Sequence, residues 1–260
     1  MNKGLLVITI LGLLVSCTPK QGIDKEELST LLKQNPDLVM DVLQENRVEL
    51  VALVEQGFKE RTEAARKQEM EQALADPKEP AIDADRPHLG NLDAPITIVE
   101  YSDFFCPYCA QGAENVKKLL SRYPETIRVF FKHLPLQPIS ELSARYFEAV
   151  ALQDNHLAWV FQDRIFANQR ELKETGEAGL VRLAAELDLD MEKLAEDVKS
   201  QEVKSLVESD MREAGSFGIR GTPSFLVNGI PLQGAVPAEE FERVIRMVAP
   251  QVLEENQPAQ

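Results

Sequence analysis

Cys106 and Cys109 enclose Pro107 and Tyr108 in a Cys-x-x-Cys spacing, while the third cysteine, Cys17, stands far from them. Two thiols so placed can cycle through a disulfide, supply half of a zinc site, or fill a core. A structural staple explains them poorly, because closing so short a loop constrains the unfolded chain by only ~2 kcal/mol. Zinc needs two further ligands, and His88, His133 and His156 are scattered, with no second paired spacing. The flanking residues favour redox chemistry. Ile96–Tyr101 is a β-rich run that reads as a strand, and Ala110–Ser121 has helix character. A cysteine that opens a helix faces unpaired N–H groups and the positive end of the helix dipole, and both favour the thiolate. Cys106 would hold that place as the nucleophile. Cys109, one turn further in, would be shielded and act as the resolving thiol.

The elements that must position the pair are legible as patterns. Residues 24–75 read as mainly helical, with a restart where Asn35 caps and Pro36 opens a new helix. Leu38, Val39, Val42, Leu43, Leu50, Leu53, Val54 and Phe58 recur at helical spacing, interrupted at Asn46. Lys59–Glu71 is a mixed-charge, solvated stretch. Pro77, Pro80 and Pro87 mark 76–90 as an extended polar linker. An α/β domain is expected over 91–250: a strand at Ile127–Phe131, helices from about 138 to 216, and a strand at Ser224–Val227. That strand turns at Asn228-Gly229 into a return strand, and a helix covers Pro237–Val248. Residues 251–260 read as a polar tail. Trp159 reads as core, Met211 as filler and His133 as structural.

The chain carries 28 Lys and Arg against 43 Asp and Glu, a net charge of −15, with 44% hydrophobic residues. That content suits a globular protein, and the acidic balance without a basic patch argues against nucleic-acid binding. The N-terminus has Lys3 and then an apolar run from Leu5 to Val15, too short to span a bilayer. Residues 1–16 read as a signal peptide. Leu14-Val15-Ser16-Cys17 resembles a bacterial lipobox, which implies cleavage before Cys17 and its acylation. Thr18-Pro19 after the cysteine implies outer-membrane sorting. The expected location is the cell envelope, periplasm-facing, where disulfides persist.

The run Asp93-Ala94-Pro95-Ile96-Thr97-Ile98-Val99-Glu100-Tyr101-Ser102-Asp103-Phe104-Phe105-Cys106-Pro107-Tyr108-Cys109 resembles the DsbA-like branch of the thioredoxin superfamily. Gly218-Ile219-Arg220-Gly221-Thr222-Pro223-Ser224-Phe225-Leu226-Val227-Asn228-Gly229 resembles its second signature. The resemblance implies a thioredoxin-like α/β fold with a helical insertion. It also implies a redox disulfide between Cys106 and Cys109, Pro223 as a cis-proline beside it, and Thr222 offering backbone hydrogen bonds to substrate. Glu100 would be a buried acid relaying protons for the inner thiol, and Tyr108 would face substrate. The strong oxidants of the branch have His where this chain has Tyr108, so a milder redox poise is expected. No cofactor is required. The leading helices, over 17–75, resemble the multimerisation segment of ScsC-type members, so a homo-oligomer is expected. Cysteine-containing exported proteins and a membrane redox partner complete the expected partners. The rival reading is a non-catalytic envelope lipoprotein that binds extended peptides.

Overall fold

The computed structural model describes residues 22–255 of the chain, so the expected signal peptide, Cys17 and residues 256–260 lie outside the described residues. The chain divides into two units, one ending at Ala65 and one beginning at Arg66.

The first unit holds helices α1 (Lys25–Gln34), α2 (Pro36–Glu45) and most of α3 (Arg47–Ala75). Asp24 caps α1 by accepting from the Glu27 N–H at 2.8 Å. Asn35 does not cap α2 with its side chain. Its Nδ2 donates back to the Leu31 carbonyl at 2.9 Å and so finishes α1, while Pro36 opens α2. Asn46 closes α2 in the same way, donating to the Val42 carbonyl at 2.8 Å. No residue of α1, α2 or α3 is buried, and every apolar residue of the expected stripe from Leu38 to Phe58 is exposed.

The second unit is built on a five-stranded sheet. Its elements in chain order are β1 (His88–Leu89), β2 (Ile96–Ser102), α4 (Pro107–Arg122) and β3 (Ile127–His133), then the helices α5 (Pro138–Ala151), α6 (Asn155–Ala167), α7 (Gln169–Thr175), α8 (Glu177–Ala185), α9 (Met191–Asp197) and α10 (Gln201–Ser216). The chain returns through β4 (Ser224–Val227), β5 (Ile230–Gln233), α11 (Ala238–Val248) and α12 (Pro250–Glu255). The spatial strand order is β1-β3-β2-β4-β5, with β2 and β3 parallel and the other pairs antiparallel. Strand periodicity sorts β2 by face. Ile96 and Ile98 join a core with Leu119 of α4 and Phe241 of α11, while Val99 and Tyr101 join one with Ala214 of α10. The inserted helices bury a third core around Phe147, Phe161 and Leu180. Residues 251–255, expected in the polar tail, are helical because Pro250 opens a further helix.

The segment 76–90, expected as a linker, is instead bound along this domain. Lys78 N–H donates to the Gly229 carbonyl at 3.0 Å, and Ala81 N–H to the Glu213 carboxylate at 2.7 Å. Arg86 is paired with Asp210 and Glu148, each at 2.6 Å, and His88–Leu89 adds the edge strand on β3. A guanidinium taken out of water is tolerated because two carboxylates meet it. Burial pushes the Glu148 carboxyl up, but Arg86 and His133 beside it hold it below the usual carboxylate range.

Gly229 tests this anchoring. It has φ +85°, and a Cβ there would stand 2.3 Å from the Lys78 carbonyl oxygen. Gly229→Ala is therefore expected to destabilise the domain by more than about 1 kcal/mol, through a strained turn and a displaced segment. Thermal unfolding measures this, and an unchanged midpoint would mean that 76–90 contributes nothing.

Candidate active site

β2 runs through the middle of the sheet and ends at the candidate site. The chain leaves it through the buried residues Ser102 and Asp103, turns at Phe104-Phe105, and enters α4 at Cys106. Cys106 is the N-cap of α4, in extended conformation at φ −81° and ψ 121°, with Pro107 as the first helical residue. Proline fits there because that position has no helical partner for an N–H. Cys106 is partly exposed and Cys109 is completely buried, and both are free thiols in this structure.

Asp103 holds the turn together. Its carboxylate accepts from Phe105 N–H at 2.6 Å, Leu136 N–H at 2.7 Å and the Ser140 hydroxyl at 2.7 Å. Its own N–H donates to the Cys109 sulfur at 3.4 Å, and its carbonyl accepts from Cys106 N–H at 3.1 Å. From the other side comes the loop before β4, where the Thr222–Pro223 peptide bond is cis. The Cys106 Sγ lies 3.5 Å from the Thr222 carbonyl oxygen. Gly112 lets that loop approach α4, since a Cβ there would stand 3.2 Å from Pro223 Cγ and from the Phe225 ring.

The two sulfurs differ in environment. Burial pushes the Cys109 thiol up to about 12, against the hydrogen bonding of Asp103 N–H and the nearby Ser102 and Thr222 hydroxyls, while the neighbouring Glu100 charge pushes it further up. Glu100 sits on the same face of β2 as Ile96 and Ile98, toward α4, and is 1% exposed. Burial pushes its carboxyl up to about 7, against the opposing effects of Ser102 and Lys117. A carboxyl poised there can take and return a proton at neutral pH.

The structure thus brings Cys106, Cys109, Glu100, Thr222 and Pro223 together, with Tyr108 projecting to solvent at 64% exposure beside Cys106. No group of three or more His, Cys, Asp or Glu among the described residues is placed to hold a metal ion. His133 is buried against Phe104 and bonds Glu148 through Nε2 at 2.7 Å, and Trp159 belongs to the insertion core. Met211 corrects the expectation of a filler, because it is exposed on α10. The sequence reading missed Asp103 and Gly112. Asp103 had a signal, a carboxylate in an apolar run that must find donors to be buried. Gly112 had none, since its close partner is 111 positions away in the chain.

A thioredoxin family model matches residues 83–247, well over half of the chain. The chain belongs to the thioredoxin family. Its fold is the DsbA-like form of that family, the fold of thiol:disulfide oxidoreductase enzymes, as the sequence resemblance implied. A thioredoxin-like oxidoreductase from Silicibacter pomeroyi superposes with a TM-score of 0.57 at 28% identity, covering 65% of this chain and 94% of that one. Pseudomonas aeruginosa DsbA2 gives 0.56 at 26%, covering 67% and 100%. BdbD from Bacillus subtilis, at 24% identity, shares the fold with a TM-score of 0.58, covering 68% and 97%. Among curated relatives, the Na(+)/H(+) antiporter NhaA 3 of Salinispora tropica is 38% identical over 152 residues, 57% of this chain and 22% of the relative. NhaA of Herminiimonas arsenicoxydans is 35% identical over 168 residues, 64% of this chain and 26% of the relative. This thioredoxin-family chain spans about a quarter of the length of the antiporters it matches.

Proposed function

We propose that this protein is an extracytoplasmic thiol:disulfide oxidoreductase acting on cysteines of exported proteins through Cys106 and Cys109, with an isomerase mode. The observation that carries this is the asymmetric pair: a reachable sulfur at a helix N-terminus, and a buried one beside a buried acid. In the reducing direction, the Cys106 thiolate attacks a substrate disulfide, forming a mixed disulfide and releasing one substrate thiolate. Cys109 then gives its proton to Glu100 and attacks Cys106. The Cys106–Cys109 disulfide forms, the second substrate thiolate leaves, and two electrons have passed to the substrate. Oxidation runs the same steps backward. Thr222 and Pro223, beside the pair, supply backbone for an extended substrate strand, and exposed Tyr108 contacts it.

The reading includes a lipid anchor at Cys17 and a place in the periplasm-facing envelope, preferably at the outer membrane, where a membrane partner resets the pair. It also includes self-association. The apolar residues of α1, α2 and the first part of α3 are exposed, and helices of this length gain stability by packing that surface. Several active sites facing one space suit reshuffling of wrong disulfides. The test compares the mature protein with a form lacking residues 22–65, by light scattering and by reactivation of a scrambled disulfide protein. The expected result is a multimer with isomerase activity, and a monomer that keeps dithiol oxidation but loses isomerisation. A full-length monomer would remove the isomerase mode. Inertness of the thiols in both directions would remove the enzyme.

A further inference from the structure

The inserted helices do more than cover the sheet. α6 stops at Ala167, where Asn168 bonds back to the Arg164 carbonyl through Nδ2 at 2.8 Å, and α7 starts at once with Gln169. This corner lies over the redox turn. The Phe166 ring packs on the Phe104 ring at 5.5 Å between centroids. The amide nitrogen of Gln169 donates to the Phe104 carbonyl at 2.9 Å and to the Cys106 carbonyl at 3.1 Å.

We propose that Gln169 is a positioning residue for the redox pair, holding the Phe104–Cys106 turn so that Cys106 presents its sulfur at the N-terminus of α4. This rests on the oxidoreductase reading. Asp103 takes the N–H groups of Phe105 and Cys106, and Gln169 takes the carbonyls of Phe104 and Cys106. The turn is therefore gripped through both kinds of backbone group. The Cys106 carbonyl also accepts from Cys109 N–H at 3.1 Å, so Gln169 braces the peptide that joins the two cysteines into one helical turn. An amide suits this position, because one NH₂ satisfies two carbonyls without placing a charge beside a sulfur that must ionise. The hydrogen bonds of Gln169 go to backbone carbonyls and not to either sulfur, so its effect passes through the turn.

The experiment follows alkylation of Cys106 against pH in the reduced, full mature protein. Gln169→Met keeps the length and loses both donors. Its Cys106 is expected to alkylate about fivefold more slowly near neutral pH, about the worth of one hydrogen bond, with the profile displaced to higher pH. Gln169→Glu can donate only when protonated. Protonated, it has one donor where the amide has two, so its rate is expected to lie between those of the wild type and the Met variant below about pH 4 and to fall further behind as its carboxyl ionises. Gln169→Asn, one methylene short, should behave like the Met variant. Wild-type profiles in the Met and Asn variants would overturn the proposal, as would a Glu variant whose deficit is the same at every pH. Alkylation reads Cys106 itself and not turnover. A wild-type protein that alkylates at Cys106 yet exchanges no disulfides would sink the oxidoreductase reading and leave this measurement intact.

Discussion

Cys106→Ser is expected to reduce disulfide exchange to background, and Cys109→Ser to leave the protein covalently joined to its substrates. The two outcomes differ because the sulfurs differ in access. Cys106 is partly exposed at the start of α4, so an incoming sulfur can reach it. Cys109 is buried, and burial pushes its thiol up to about 12 despite the Asp103 N–H that donates to its sulfur. It therefore cannot begin an exchange, but it can finish one once Cys106 is occupied. Without it, the mixed disulfide has no internal exit. Non-reducing electrophoresis with peptide mapping reads both outcomes. Adducts mapping to Cys109 in the Cys106→Ser protein would reverse the roles.

Glu100→Gln is expected to stabilise the reduced protein by up to about 3 kcal/mol at alkaline pH while slowing resolution of mixed disulfides by about 100-fold. The sign follows from the burial of an acid. Below about 4.5 the carboxyl is protonated in both the folded and the unfolded chain, so the substitution changes nothing through ionisation there. Between that value and about 7 the unfolded chain has released its proton and the folded one has not, so native stability falls as pH rises. Above it the native state carries the whole cost of an ionised carboxylate at 1% exposure. Glutamine never ionises and escapes that cost. It also cannot accept the Cys109 proton, so the stabler protein is the poorer catalyst. Denaturant unfolding at stepped pH and stopped-flow resolution of a glutathione adduct measure the two effects. A stability difference independent of pH would show that Glu100 ionises as freely in the fold as in the unfolded chain.

Much of the fold and site was legible because it is local. The β-rich run at 96–101 became β2, and Asn228-Gly229 made the expected hairpin turn, with positive φ at both residues. The order strand, Cys-x-x-Cys, helix was enough to separate an exposed from a shielded cysteine. Glu100 could be suspected from an acid in an apolar strand. What escaped notice depends on partners far along the chain. Residues 76–90 have a linker's composition, but Arg86 finds Glu148 and Asp210 at separations of 62 and 124 residues. Gln169 is an ordinary helix residue until the corner between α6 and α7 sets it over two carbonyls more than sixty positions earlier. Asn35 looked like an N-cap and closed the preceding helix instead, because its side chain can serve either end of a break.

The central claim is that Cys106 and Cys109 form one reversible redox couple. The most direct measurement equilibrates the protein with glutathione buffers of stepped ratio and maps the state of both residues at each step. The account predicts a single two-electron transition to a Cys106–Cys109 disulfide, at a potential between about −120 and −270 mV, the span of exchange-competent pairs. A disulfide that resists reduction below about −300 mV would mark a structural bridge. Glutathione adducts that persist on Cys106 without resolution by Cys109 would contradict the couple itself.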